Sequence, residues 1–368
     1  MTAVCAVLAV VCSLAVAAAP LPVQKSAPPK GTAPSAASGR NQAASYFFGG
    51  QLDDYGFSLD LKMRRKLFVL RAHRRINPCG LVDPVKLVAA DPDFQQYGAD
   101  GDLSACAVVF RGDAPSVVTV KVSQNPPTMR EVSRFSVGSV VVHRHAPAEP
   151  GTCLYVFDLG ISQLPSAPER LTDFQAQITA PEDRGEEPCV RGHAVAAAAA
   201  ARVVAKGAPQ WLRADPIAKV GEADPCLPAR KVAGATGLSD ADVGTHWCGF
   251  RMGPTLVKLS VRLRPAQFAN QQGDPWNVIE AQTTPRGDRM LLVYNGAFDA
   301  ATGSYRPSSD KLHCDVYLMV KTPLLPRSVD ASEVDESETR LATVEVRSET
   351  APCSVNREIA TAWAAQLG

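Results

Sequence analysis

Apolar and polar residues alternate cleanly in two distant stretches of the chain. Residues 117–122 (VVTVKV) and 257–263 (VKLSVRL) place every second side chain on one face, the period of a half-buried strand. Further strands are predicted at 136–143, 154–159, 291–294 and 316–320, with Pro, Gly and Asp clusters marking the turns between them. Two Ala-rich amphipathic segments, HAVAAAAAARVVAKG and REIATAWAAQLG, read as helices. Gly207 is placed to stop the first, and Ser354 or Asn356 to start the second.

These elements recur in one order. Asn77-Pro78-Cys79 matches Asp224-Pro225-Cys226, and CAVVFRGDAPSVVTVKV from Cys106 matches CGFRMGPTLVKLSVRL from Cys248. GTCLYVFDLG around Cys153 matches LHCDVYLMVK around Cys314. Two Arg-Leu stretches then run to Cys189 and Cys353, each leading into an Ala-rich helix. The expected architecture is α+β: two tandem homologous domains, 45–208 and 209–368, each an antiparallel sheet with a closing C-terminal helix.

The ends add a location. The apolar run over 1–19, with small residues at Ala15 and Ala17, reads as a signal peptide (1–17). No Lys or Arg precedes Lys25, and Val11 before Cys12 does not fit a lipidation site. Residues 18–44, rich in Pro, Ala and Ser, read as a disordered spacer. Removing the signal leaves Cys79, Cys106, Cys153, Cys189, Cys226, Cys248, Cys314 and Cys353, an even set without a C-x-x-C pair, as an oxidising compartment favours. Four cysteines allow three pairings per copy. The sequential one is preferred because it keeps both bridges local and ties each closing helix to a strand.

Charge narrows the function. The 368 residues carry 38 basic and 37 acidic side chains, net +1, which argues against a nucleic-acid binder. The lack of any N-x-S/T sequon and the heavy use of Ala, Arg, Gly and Pro favour a bacterial source. No G-x-S-x-G, H-E-x-x-H, P-loop or G-x-G-x-x-G occurs.

Several residue groups invite chemistry. His143 and His145 stand two apart at a strand end and face one side. Two imidazoles are half a metal site, but no neighbouring Cys or carboxylate completes it, and a solvent-facing strand end is the preferred reading. Arg111-Gly112-Asp113 and Arg286-Gly287-Asp288 fall at different offsets in the two copies, so both read as turns and not as adhesive motifs. Arg64, Arg65, Lys66, Arg71, Arg74 and Arg75 interleave with Leu67–Leu70 and read as a charged edge strand, with anionic lipid contact the competing reading. Asp330, Glu333, Asp335, Glu336 and Glu338 read as a solvated hairpin tip. Trp247 is expected to pack on a disulfide, Trp363 to lie on the core face of the last helix, and Trp276 to sit in a loop open to ligand.

Asp224-Pro225-Cys226-Leu227, Gly237-Leu238, His246-Trp247-Cys248, Cys314, and Cys353 before an Ala-rich end resemble an actinobacterial family of secreted proteins and lipoproteins carrying a domain of unknown function. That family is distantly similar to the extracellular sensor domain of a mycobacterial serine/threonine kinase. The resemblance implies an α+β fold with two disulfides per domain, a secreted or cell-envelope location, and non-enzymatic binding of an envelope ligand or protein. Peripheral membrane or wall contact is compatible with it. A secreted hydrolase using Asp or Glu on wall polymers is the alternative. No catalytic, cofactor or metal-binding residue is assigned.

Overall fold

One antiparallel sheet dominates each half of the chain. The computed structural model describes residues 36–112, 116–146, 149–182, 189–270, 277–299, 304–307, 314–328, 339–348 and 350–367. The first half opens with helices α1 (Ala36–Phe48), α2 (Leu61–Arg74) and α3 (Pro84–Ala90), with a 3₁₀ turn at Pro78–Leu81. Strands β1 (Phe94–Asp100), β2 (Asp102–Phe110), β3 (Ser116–Ser123), β4 (Glu131–Val137), β5 (Val140–His145), β6 (Thr152–Asp158) and β7 (Gln175–Pro181) follow, closed by α4 (Val190–Lys206). The second half runs α5 (Pro216–Glu222), a 3₁₀ turn at Leu227–Lys231, β8 (Ala235–Val243), β9 (Trp247–Met252), β10 (Thr255–Pro265), β11 (Asn277–Thr283), β12 (Arg289–Asp299) and β13 (Ser304–Pro307). It ends with β14 (Asp315–Leu324), β15 (Arg327–Ser328), β16 (Arg340–Ser348) and α6 (Cys353–Ala364).

The two sheets share one strand order. Apart from β15, which borders β1, and β13, which pairs β12 off the main path, the first runs β1-β2-β3-β7-β6-β5-β4 and the second β8-β9-β10-β16-β14-β12-β11, so these seven strands correspond place by place. Every pairing is antiparallel. The disulfides correspond too. Cys79–Cys106 and Cys226–Cys248 tie a 3₁₀ turn to the second strand, while Cys153–Cys189 and Cys314–Cys353 tie a middle strand to the closing helix. The sequential pairing is therefore the one present. Each bridge stabilises by about 3–4 kcal/mol through loss of unfolded-chain entropy.

Each core lies between one sheet face and its closing helix. In the first, Val118, Val120, Phe157 and Ile178 meet Val195, Ala196, Ala199 and Ala200. In the second, Val257, Leu259, Val316 and Val344 meet Ile359 and Trp363. Gly207 ends α4 as expected, but α6 begins at Cys353 behind Pro352, with neither Ser354 nor Asn356 as cap. Asn356 is instead buried and donates to the Cys314 carbonyl at 2.8 Å.

Three further local expectations fail. Residues 136–143 are not one strand but the tips of β4 and β5, because Gly138 turns the chain with φ 58°, a conformation costly for other residues. The basic segment is not an edge strand but helix α2. Asp60 caps it by accepting from Met63 N at 2.7 Å, and Met63, Leu67, Leu70 and Arg74 form its buried stripe. The spacer is helical from Ala36, and Ala44, Phe47 and Phe48 are buried against the first half.

Candidate functional site

A groove of about 580 Å³ opens where the two halves meet, within the range that takes a small-molecule ligand. Its floor is the side of the first sheet facing away from α4, carrying Ala107, Val109 and Val117. The connector between the halves supplies Trp211 and Leu212, and the second half supplies Ile217 of α5 with Leu324, Leu325 and Pro326. Strand β15 joins the edge of β1, with Gln96 opposite Ser328 and Tyr97 opposite Arg327, so the second half completes the first half's sheet. Gly98 allows this approach, since a Cβ there would stand 3.1 Å from the Pro326 Cα.

The groove's charges are paired. Arg327 binds Asp215 at 2.7 Å and lies over the Tyr97 ring, while Arg340 reaches Asp100 at 3.6 Å. Leu212, Val117 and Leu325 stay exposed around it, and apolar side chains gathered at a concave surface mark a binding place better than scattered ones.

Behind the groove lies a buried polar joint. Arg74, 2% exposed, binds Asp224 at 2.8 Å, and Tyr55 donates to the same carboxylate oxygen at 2.7 Å. Trp211 Nε1 donates to the Arg74 carbonyl, linking joint to groove. Beside this pair, His73 meets the Val122 carbonyl through Nε2 at 3.2 Å and Thr245 Oγ1 through Nδ1 at 2.8 Å. A carbonyl only accepts, so His73 carries its proton on Nε2 and takes a hydrogen bond from Thr245. Burial lowers the pKa of His73 to about 4 and that of His246 to about 3, against a partial opposing pull from Asp102.

The predicted candidates scatter. Arg64 and Arg65 face solvent on α2; Lys66, with Lys62, reaches Asp240 of β8, Arg71 donates to the Gly50 and Gln51 carbonyls, and Arg75 to that of Tyr46. Asp288 of the second Arg-Gly-Asp is 5% exposed and accepts from Lys321 N, which makes that tripeptide a turn. Asp113 of the first copy, Trp276 and the acidic segment 330–338 lie outside the described residues. Trp363 is fully buried as expected, whereas Trp247 is 51% exposed, with its ring against Gly244. His143 and His145 remain side by side on β5.

Two features carried no readable sequence signal. Trp211 sits in a connector without periodicity, and Arg74 was hidden in a basic run. A third is a carboxylate pair on the outer face of the second sheet. Glu345 accepts from Arg264 at 3.0 Å and from Arg347, which also reaches Asp315 at 3.3 Å. Burial, with Glu345 adding to it, raises the Asp315 pKa.

Among the described residues no helix is long and apolar enough to cross a membrane. Comparison with protein-family models, curated proteins and solved structures returned no match.

Proposed function

We propose that this chain is an exported, non-enzymatic binding protein of the cell envelope that holds a small apolar ligand between two homologous halves. The groove carries the reading: it is apolar, concave and built from both halves, and its ionic groups already neutralise one another. A ligand with a net charge would have to break an Arg–Asp pair, so a neutral body fits best. The shared strand order and matched disulfides support descent of the halves from one module of the actinobacterial envelope type. Four disulfides favour an oxidising, extracytoplasmic location.

The test is a thermal-shift and fluorescence titration with a neutral fluorescent acyl ester. Binding is expected for the natural chain and at least a tenfold loss for Ala107→Trp, which fills the floor. Equal binding by both chains would refute the groove as the site. The hydrolase alternative rests on Asp315 and Glu345, two carboxyls in unlike surroundings. Wall-polymer cleavage lost in Asp315→Asn would favour it over binding.

A further inference from the structure

We propose that His143 and His145 are the protein ligands of a surface site for a divalent transition-metal ion of the copper or zinc type. The site lies on the face of β5 turned from α4, beside the edge strand β4, away from the interdomain groove.

The argument is the state of the two rings. His143 Nδ1 lies 2.9 Å from a Glu131 carboxylate oxygen, and His145 Nδ1 lies 2.9 Å from the Met129 carbonyl oxygen. Both partners are acceptors, so each Nδ1 must carry the proton. In the neutral ring this leaves a lone pair on each Nε2, and neither Nε2 has a protein partner among the described residues. A carboxylate or carbonyl that fixes one ring nitrogen so that the other can bind is the usual second layer of a histidine metal site. Here both rings have it.

The backbone explains why. Residues two apart on a strand share a face, and the sheet register sets Glu131 opposite His145 and Arg134 opposite His143. A break in register between Glu131 and Ser133 accompanies the reach of Glu131 to His143. The ring centroids lie 6.4 Å apart with planes at 45°. Two imidazoles on one tetrahedral ion, with metal–nitrogen bonds of about 2.1 Å, need centroids roughly 5 Å apart, so binding requires the two side chains to draw together by roughly 1 Å. Imidazole nitrogen selects copper, zinc and nickel over calcium and magnesium. Water fills the remaining positions. The neighbouring cation Arg134 is exposed and turned to Glu131, which screens it from the ion. Cys153, Glu182 and Cys189 also cluster, but their sulfurs are joined as a disulfide and bind no metal.

The experiment titrates Cu(II), then Zn(II), into the full chain carrying Cys5→Ser and Cys12→Ser, which removes the two thiols outside the disulfide set. Calorimetry should show one ion per chain, and the electron paramagnetic resonance spectrum of bound Cu(II) should show coupling to two imidazole nitrogens. His143→Gln and His145→Gln should each weaken binding more than tenfold, and Glu131→Gln roughly tenfold. Excess Ca(II) or Mg(II) should not compete. A spectrum without two-nitrogen coupling overturns the proposal, as does unchanged affinity in the His143→Gln, His145→Gln double variant. The spectrum of the chain with both histidines decides the matter even where a variant folds poorly.

Discussion

Arg74 and Asp224 are each nearly sealed from water, so neither can lose its partner cheaply. Arg74→Met leaves the Asp224 carboxylate with only Tyr55 and backbone donors, and chemical denaturation should show a loss of about 3–5 kcal/mol. His73 and His246 make the same region acid-sensitive. Their folded pKa values lie below the ordinary histidine value, so the unfolded chain takes up protons first as pH falls. Their contribution is fully present above about pH 6.5, the unfolded value, and declines as pH falls from there toward 4 and 3. Asp102 opposes this change, while Arg74 and Lys121 strengthen it. Denaturant midpoints should fall between pH 7 and pH 5, by an amount on the order of 1–2 kcal/mol per histidine at pH 5, and Thr245→Val should alter the profile through His73. A flat profile across that window would contradict the buried neutral pair.

Helix α2 packs on both halves: Phe68, Val69 and Ala72 meet the first core, and the opposite stripe meets the second half. Its Met63, Leu67 and Leu70 cover the Cys226–Cys248 disulfide together with Tyr55 and Val243. Leu67→Ala should cost about 2–5 kcal/mol, measured by the same denaturation. The helix was legible in principle, since positions 63, 67, 70 and 74 repeat at helical spacing. The consecutive apolar run at 67–70 imitated a buried strand and masked it. The β4–β5 hairpin is masked because its two-residue turn, Gly138-Ser139, sits inside a Val-rich run and carries no Asn, Asp or Pro. Strands β3 and β10 are legible because one face of each is buried and the other is not, which leaves alternation in the sequence, whereas β6 and β14 are buried on both faces and show as continuous apolar runs.

At the scale of the molecule, the halves share more than a connector. The β1–β2 turn touches the second sheet, with Leu263 N donating to the Gly101 carbonyl, and Leu103 lies in the second core. A fragment of residues 209–368 loses Arg74, Tyr55 and the α2 stripe from its surface. It should unfold at lower denaturant than the second half within the full chain, and adding a fragment of residues 36–208 should restore part of the difference. Equal stability with and without the first fragment would show that the joint contributes nothing.

The sequence by itself determined what neighbouring residues encode: strand period, Ala-rich helices, turn chemistry, and the ordered cysteines that mark two similar halves. Repetition made these visible twice. Only the tertiary structure decided where the halves touch, because a groove or a buried ion pair depends on residues far apart in the chain. Arg74 and Asp224 are separated by 150 positions, and Gln96 and Ser328, paired where β1 meets β15, by far more. No local pattern records such meetings. They are set by which faces remain to be covered once each sheet has closed on its own helix.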